Sequence, residues 1–559
     1  MDCNKKRKRK ITEAVFPVIG TAFGLTFMIF IYAPFELYLT NLDDFWFTGT
    51  QMTAYTATEF IVAFAACAAV ILIAAKLGDK VLTACSAILF FLLIAAYIQG
   101  NFLVSGLPGM DGSEIDWDAY PAERLKSAAV WILSACAVGI LVWKLGGRRF
   151  RLAAGFTGAG IGAMLLISFV ILSAASAGEK SETLVATDIN IFNFSQEENL
   201  IVLHLDAVDA CEFEKVMEKN PEYKEMLSDF TYFDNVMSGY PYTKCAVPLV
   251  LTGKWYEAER KFDDYLNDAF TESPLFLALR DHDYRIGIYD SNTVFLAKDR
   301  CDGLIDNFRT DASVPISAIE MAKGTIRMAM VKYAPWDLKD RGYVIQVRMQ
   351  VNRGFKDGTD YSFHDSSNLK FYESLKTDEF CIDGVKSFKY IVLEGAHVPY
   401  QYDRELNIIE NGTYDDNIEG TMTLCGAFLD KLEEAGIYDN SAIVLMADHG
   451  FNENNADSNL RNDTNLRQHP VLFIKGIGEK HEYTVSNAPV SHEDMADALI
   501  ALSDGKSSEE CFDWHENDYR ERRFMNYDWL DVTYFEEYIQ TGQAEDMSTF
   551  KPSGKIYGN

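Results

Sequence analysis

The pattern of apolar positions changes character once along the chain. Up to about residue 180 the apolar residues form long unbroken blocks, and beyond it they come as short runs separated by amphipathic stretches. Five blocks, Val15–Leu37, Phe60–Ala75, Val81–Val104, Ala128–Trp143 and Gly155–Ala177, approach the ~20 helical residues that cross a hydrocarbon core of ~30 Å. The polar loops between them alternate in charge. Lys5, Lys6, Arg7, Lys8, Arg9 and Lys10 precede the first block, Lys76 and Lys80 follow the second, and Lys144, Arg148, Arg149 and Arg151 follow the fourth. The first and third connections carry Asp43, Asp44, Asp111, Glu114, Asp116 and Asp118 instead. Positive loops stay on the cytoplasmic side, so every loop agrees with an inside N-terminus, five crossings and an external C-terminal part. The first block is longer than the core of a cleaved signal and four more follow it, which argues for an anchor. No ionisable residue lies deep in a block, where a transport site would declare itself.

Beyond the anchor (1–178) and a polar connection (179–198), apolar runs recur at Asn199–Leu205, Arg285–Tyr289, Phe388–Leu393, Ser441–Met446 and Val471–Ile474. Helical patterns alternate with them at Ser273–Arg280, Thr421–Ala435 and Glu493–Leu502, the first with Ser273 as N-cap before Pro274. Strands alternating with helices imply an α/β domain with a mostly parallel sheet covered on both faces. That domain is expected over 199–505, with a closing subdomain at 506–559. The segment 302–379 is expected to supply substrate selectivity.

Charge narrows the function. Lys+Arg 51 against Asp+Glu 82 gives 51 − 82 = −31, a surface that repels nucleic acid and tolerates divalent cations. The ten cysteines show no metal-ligand spacing. One or two disulfides are compatible with an external domain.

In a parallel sheet, ligands bind beyond the carboxyl ends of the strands, so the residues just after each run carry the chemistry. These are Asp206, the stretch Glu394-Gly395-Ala396-His397-Val398-Pro399, and Ala447-Asp448-His449-Gly450. An Asp closing a strand is often a helix N-cap, and Asp-His-Gly is a common turn. Three such ends on one sheet are better explained by carboxylate and imidazole ligands around a divalent cation, with Zn²⁺ and Mn²⁺ suiting O and N donors. His204 and Asp209 are read as structural, the first turned away by strand alternation and the second lying in the turn that follows.

The segment Ser238-Gly239-Tyr240-Pro241-Tyr242-Thr243-Lys244-Cys245-Ala246-Val247-Pro248-Leu249-Val250-Leu251-Thr252-Gly253 resembles the nucleophile loop of sulfatase-like enzymes in the alkaline phosphatase superfamily. Sulfatases carry Cys/Ser-x-Pro-x-Arg there; this chain has Thr243 and no matching Arg. Thr followed by Pro five residues later resembles phosphoethanolamine transferases, and five spans before an external domain resemble lipoteichoic acid synthases. The resemblance implies that Asp206, Thr243, Asp448 and His449 hold one divalent cation, with room for a second, and that Thr243 is the nucleophile. It implies further that His397 and His469 contact the substrate phosphate. The reaction it implies moves a phospholipid headgroup, phosphoglycerol or phosphoethanolamine, through a phospho-threonine to a cell-envelope glycan or glycolipid. The alternatives are a hydrolase of phosphate or sulfate esters and an inactive membrane scaffold. One departure is Asp206, where both transferase groups usually carry Glu and sulfatases carry Asp.

Overall fold

The computed structural model describes residues 2–40, 49–107, 115, 117–175, 184–291, 303–310, 318–343, 364–451, 467–528 and 531–558. The chain divides into two compact units, residues 1–181 with 314–352, and residues 182–313 with 353–559. The segment 314–352, which the sequence reading includes in the catalytic domain, therefore belongs to the first unit.

The first unit contains four helices long and apolar enough to cross a membrane: Ala14–Leu39, Met52–Leu77, Asp79–Phe102 and Pro121–Ala175. Five were expected. The last is 55 residues long because the fourth and fifth blocks follow without a loop, but Gly146 interrupts it with φ 72° and ψ 157°, a conformation essentially restricted to glycine. Its two legs lie against Asp79–Phe102 in opposite directions. Ser127 bonds Gln99 (2.7 Å) and Trp131 packs on Phe91, whereas beyond Gly146 Arg151 bonds Thr83 (2.6 Å) and Leu165 joins Leu93 and Ala96 in one cluster.

Small residues set the spacing in this unit. A Cβ at Gly20 or Gly24 would lie 2.4 Å from the carbonyl oxygen of Gly155 or Gly158 respectively, the close backbone approach by which helices associate in lipid. The helix Ala318–Tyr333 packs with the same bundle. Its Lys332 pairs with Glu36, Tyr333 lies against Gly100, and the backbone N–H of Trp336 donates to Ser127 Oγ at 3.0 Å.

The second unit is built on a seven-stranded sheet. In chain order the strands are β1 (Asn199–Leu205), β2 (Thr231–Phe233), β3 (Arg285–Tyr289), β4 (Ser387–Leu393), β5 (Ser441–Met446), β6 (Leu472–Lys475) and β7 (Thr484–Ser486), arranged in space as β7-β2-β6-β5-β1-β4-β3. Only β6 runs against the other six, so the sheet is mostly parallel as expected. Every residue of β1, β4 and β5 is buried, as strands covered on both faces require. Leu200 and Val202 enter one core, with the helix Thr243–Thr252, while Ile201, Leu203 and Leu205 enter the other. Ser273 caps the helix Pro274–Asp281 (3.4 Å to Phe276 N). A Thr413/Asp416 capping box starts Tyr414–Glu434, seven residues before the expected helix.

The last strands, Arg522–Asp528, Asp531–Gln540 and Phe550–Gly558, form a separate antiparallel sheet. It buttresses the loop before Thr243: Met525 N donates to Gly239 O at 2.8 Å, and the Tyr527 ring packs on Tyr242. The eight cysteines whose side chains are described are all free, so no disulfide joins any of them.

Candidate active site

The parallel strands β3, β1, β4 and β5 end side by side, and each delivers polar side chains to one edge of the sheet. After β3 comes Asp290, after β1 Asp206, after β4 Glu394 and His397, and after β5 Asp448 and His449. The turn after β4 comes very near β1. Gly395 has φ 55°, and a Cβ there would stand 2.5 Å from the Asp206 backbone N and O. Glycine is what lets the two strand ends meet.

Asp448 is fully buried and its two oxygens face different surroundings. Oδ1 accepts from the backbone N–H of His449 (3.0 Å) and of Ala207 (3.4 Å), and it lies 3.1 Å from His204 Nε2. Oδ2 faces His449 Nε2 at 3.6 Å and has no hydrogen-bond partner. Asp206 Oδ1, 3.8 Å from the same His449 nitrogen, is likewise buried without a partner. His449 donates from Nδ1 to the Gly450 carbonyl (2.9 Å), which leaves Nε2 with the lone pair, the arrangement found in metal-ligating histidines. Burial holds the His449 imidazole down to about 4, against the pull of Asp448, so it is neutral and able to ligate.

Thr243 opens the helix Thr243–Thr252, so its hydroxyl stands where backbone N–H groups and the helix dipole favour an anion. That hydroxyl interacts with the Asp448 carboxylate and helps hold it ionised. Burial pushes Asp448 upward, but His449, His204 and the Thr243 hydroxyl more than offset it, and its pKa lies well below the usual range. Asp206 moves the other way, driven well up by burial and then by the neighbouring Asp448 charge. Two carboxylates this close without a cation cannot both ionise comfortably.

The donor set fits a divalent cation. Asp206 Oδ1 and Asp448 Oδ2, which both face His449 Nε2, are left without a hydrogen-bond partner, and buried polar atoms in that condition need an explanation. Bonds of about 2.0–2.2 Å to each are compatible with separations of 3.6 and 3.8 Å.

His204 was set aside in the sequence reading, and this is corrected. Alternation does turn it from Leu203 and Leu205, but toward the side that Asp206, two residues on, also faces. Its ring bridges the Tyr390 hydroxyl (Nδ1, 3.1 Å) and Asp448, and its ligand atom lies within 4.8 Å of those of Asp206 and Asp448. Burial opposes its protonation, but the carboxylates of Asp448, Asp206 and Asp290 raise its pKa on balance. It is wholly buried on the Oδ1 side of Asp448, and its Nε2 is also left without a hydrogen bond.

His397, in the loop after β4, lies near enough to His449 to act on it electrostatically, and its Nδ1 is bonded to Val398 O (2.6 Å). His469 does not reach a substrate, a second correction. It is buried, its Nε2 donates to Asp234 O (2.8 Å), and its Nδ1 meets Cys211 Sγ (3.5 Å), so both nitrogens are spent inside the fold. Asp209 is the N-cap of the helix Ala210–Lys219, accepting from Cys211 N and Glu212 N, as its place in the turn implied. The residue beside His469 that does face the site is Arg467, unremarked in the sequence because a lone Arg in a polar stretch carries no motif. Its charge acts on both Asp206 and His449.

Residues 376–505 match the family model described as Sulfatase, a span that includes His397, Asp448 and His449. The chain thus carries a sulfatase-like α/β domain, of a type found in an enzyme superfamily, behind apolar N-terminal helices. No curated protein matches it. Similar solved structures include a protein in the alkaline phosphatase superfamily from Vibrio parahaemolyticus (15% identity, 67% of this chain and 85% of that one, TM-score 0.37). Others are the lipoteichoic acid synthase LtaP from Listeria monocytogenes (11%, 64% and 88%, 0.35) and the phosphonate monoester hydrolase from Silicibacter pomeroyi (14%, 65% and 89%, 0.34).

Proposed function

We propose that the protein is a membrane-anchored, metal-dependent phosphotransferase. It takes a phosphoglycerol or phosphoethanolamine headgroup from a phospholipid onto Thr243 and passes it to a hydroxyl of a cell-envelope glycan or glycolipid. What supports this reading is the pair of unsatisfied carboxylate oxygens of Asp206 and Asp448 from two strand ends, both facing His449 Nε2, with the Thr243 hydroxyl favouring the ionised form of Asp448. The matched family also includes ester hydrolysis in its repertoire, and the match supports a second reading in which water resolves the intermediate.

A divalent cation, Zn²⁺ or Mn²⁺, held by Asp206, Asp448, His449 and Thr243 would lower the threonine pKa and neutralise phosphoryl charge. The residues do the rest. Asp448, kept ionised by its neighbours, draws on the Thr243 hydroxyl, and Thr243 Oγ forms a new bond to phosphorus as the bond to the diacylglycerol oxygen breaks. The proton lost by Thr243 ends on that leaving oxygen, with His397 Nε2 as the group that carries it. In the second half an acceptor hydroxyl attacks the phospho-threonine and threonine leaves with the acceptor's proton.

The anchor explains the choice of donor. If Gly146 is the turn between two crossings, the four apolar helices span the membrane five times, and loop charges put the catalytic domain outside, where ATP is absent and lipid headgroups are at hand. Intact mass of the purified chain after incubation with phospholipids tests the proposal. A headgroup-sized adduct on wild type, absent in Thr243→Ala, is the expected result. Aryl sulfate turnover with no adduct from any phospholipid would replace transfer by hydrolysis.

A further inference from the structure

Arg467 is held with unusual care for a residue outside any motif. Its backbone carbonyl accepts from Ser238 Oγ (2.9 Å) and from Gly450 N (2.9 Å). It is thereby pinned to the loop that leads into Thr243 and to the turn that carries Asp448 and His449. Its guanidinium lies over two rings, Tyr242 at 4.8 Å and Phe451 at 5.0 Å from the ring centroids. Tyr242 immediately precedes Thr243, and its ring also meets His449, 6.3 Å between centroids. Among the described residues no carboxylate lies within ion-pairing distance of Arg467, although most arginines of this unit whose side chains are described, Arg280, Arg285, Arg404, Arg520 and Arg523 among them, have one.

A guanidinium held over aromatic rings spends none of its N–H groups on a carboxylate, and two of them in parallel match the oxygens of a phosphate. We propose that Arg467 is a substrate-anion-binding residue: its in-plane N–H groups receive the non-bridging oxygens of the ester as Thr243 attacks. Tyr242 and Phe451 hold the guanidinium in place. This rests on the transfer reading for the identity of the anion as a phosphate, but not for the existence of the anion site.

The test uses the full chain in detergent, loaded with Mn²⁺, with inorganic phosphate as competitor against bis(p-nitrophenyl) phosphate. Arg467→Gln should weaken phosphate inhibition roughly 10- to 100-fold, and Arg467→Lys should fall between Gln and wild type, with metal content and melting temperature unchanged in both. Wild-type phosphate affinity in Arg467→Gln would overturn the proposal, as would loss of metal or a lowered melting temperature accompanying the weaker binding. If Arg467→Gln does not fold, Arg467→Lys decides alone, because it keeps charge and stem but lacks the fork. Should the wild type turn over aryl sulfate and no phosphate ester, the transfer reading falls, and the same comparison with sulfate as competitor still decides the role of Arg467.

Discussion

Two buried Asp–His clusters lie next to each other at the carboxyl edge of the sheet, and they differ in one respect. Asp206, Asp448 and His449 form the first, and Asp209 and His469 with Cys211 form the second. Gly450 runs between them, so close that a Cβ there would stand 2.5 Å from Asp209 Oδ2 and 2.8 Å from His469 O. Burial depresses both His449 and His469 to about 4. In the second cluster the chain answers the polar groups, with Asp209 capping a helix and His469 bonded at both nitrogens. In the first, Asp206 Oδ1 and Asp448 Oδ2 are left over. Residue type and burial do not separate a binding site from a structural one. In this pair, two leftover carboxylate oxygens facing one imidazole do.

The sharpest way to break this contrast is at the hydroxyl that faces the leftover atoms. Thr243→Ala should lower turnover roughly 10⁴-fold or more while the protein keeps its melting temperature and its metal in large part, read by steady-state kinetics beside thermal unfolding. Activity within tenfold of wild type would remove Thr243 from the chemistry.

Asp448→Asn should cost at least about 100-fold in metal affinity, since it removes the charge and the free oxygen, leaving one amide oxygen that the Ala207 and His449 N–H groups already occupy. Metal content after dialysis measures it. The mirror experiment in the second cluster is His469→Ala. It leaves the Asp234 carbonyl and the Cys211 thiol without their partner, so it should lower stability by about 2–4 kcal/mol with metal content intact and kcat/KM changed a few-fold at most. Loss of phosphate binding at unchanged stability would move His469 back into the substrate site.

Much of this was legible in the chain, and the failures have physical causes. The apolar runs that became β1, β3, β4 and β5 are buried on both faces, so their pattern is continuous and their ends are sharp, and Asp206, His397, Asp448 and His449 followed from those ends. The strands β2 and β7 are three residues long and carry too little pattern to stand out. His204 was lost because alternation was used to turn it from the core and not to pair it with Asp206 two residues on. His469 was misread because Gln-His-Pro does not tell whether a ring faces a cavity or a carbonyl. The helix Ala318–Tyr333 is amphipathic with lysines, a composition that does not distinguish a soluble helix from one packed with apolar helices.

The smallest effect expected concerns pH. Burial raises the Asp209 carboxyl to about 7 in the folded protein, against about 3.9 when unfolded. The folded state then holds the proton more tightly, so the favourable contribution is complete below about pH 4 and is lost as pH rises through about 7. Asp209→Asn keeps the N-cap acceptor and has no proton to lose. Its stability relative to wild type should therefore increase by about 1–3 kcal/mol between pH 4 and 7, and stay level above, in thermal unfolding of the metal-free protein. A difference that is constant across this range would show that Asp209 titrates normally.

The central claim is that one cation is bound by the atoms the fold leaves unsatisfied, within reach of a single hydroxyl. Anomalous scattering from crystals of the Mn²⁺-loaded chain measures this directly. The expected result is a manganese peak at bonding distance from Asp206 Oδ1, Asp448 Oδ2 and His449 Nε2, with Thr243 Oγ beside it. A peak ligated elsewhere, or manganese at these residues with Thr243 turned away, would contradict the account.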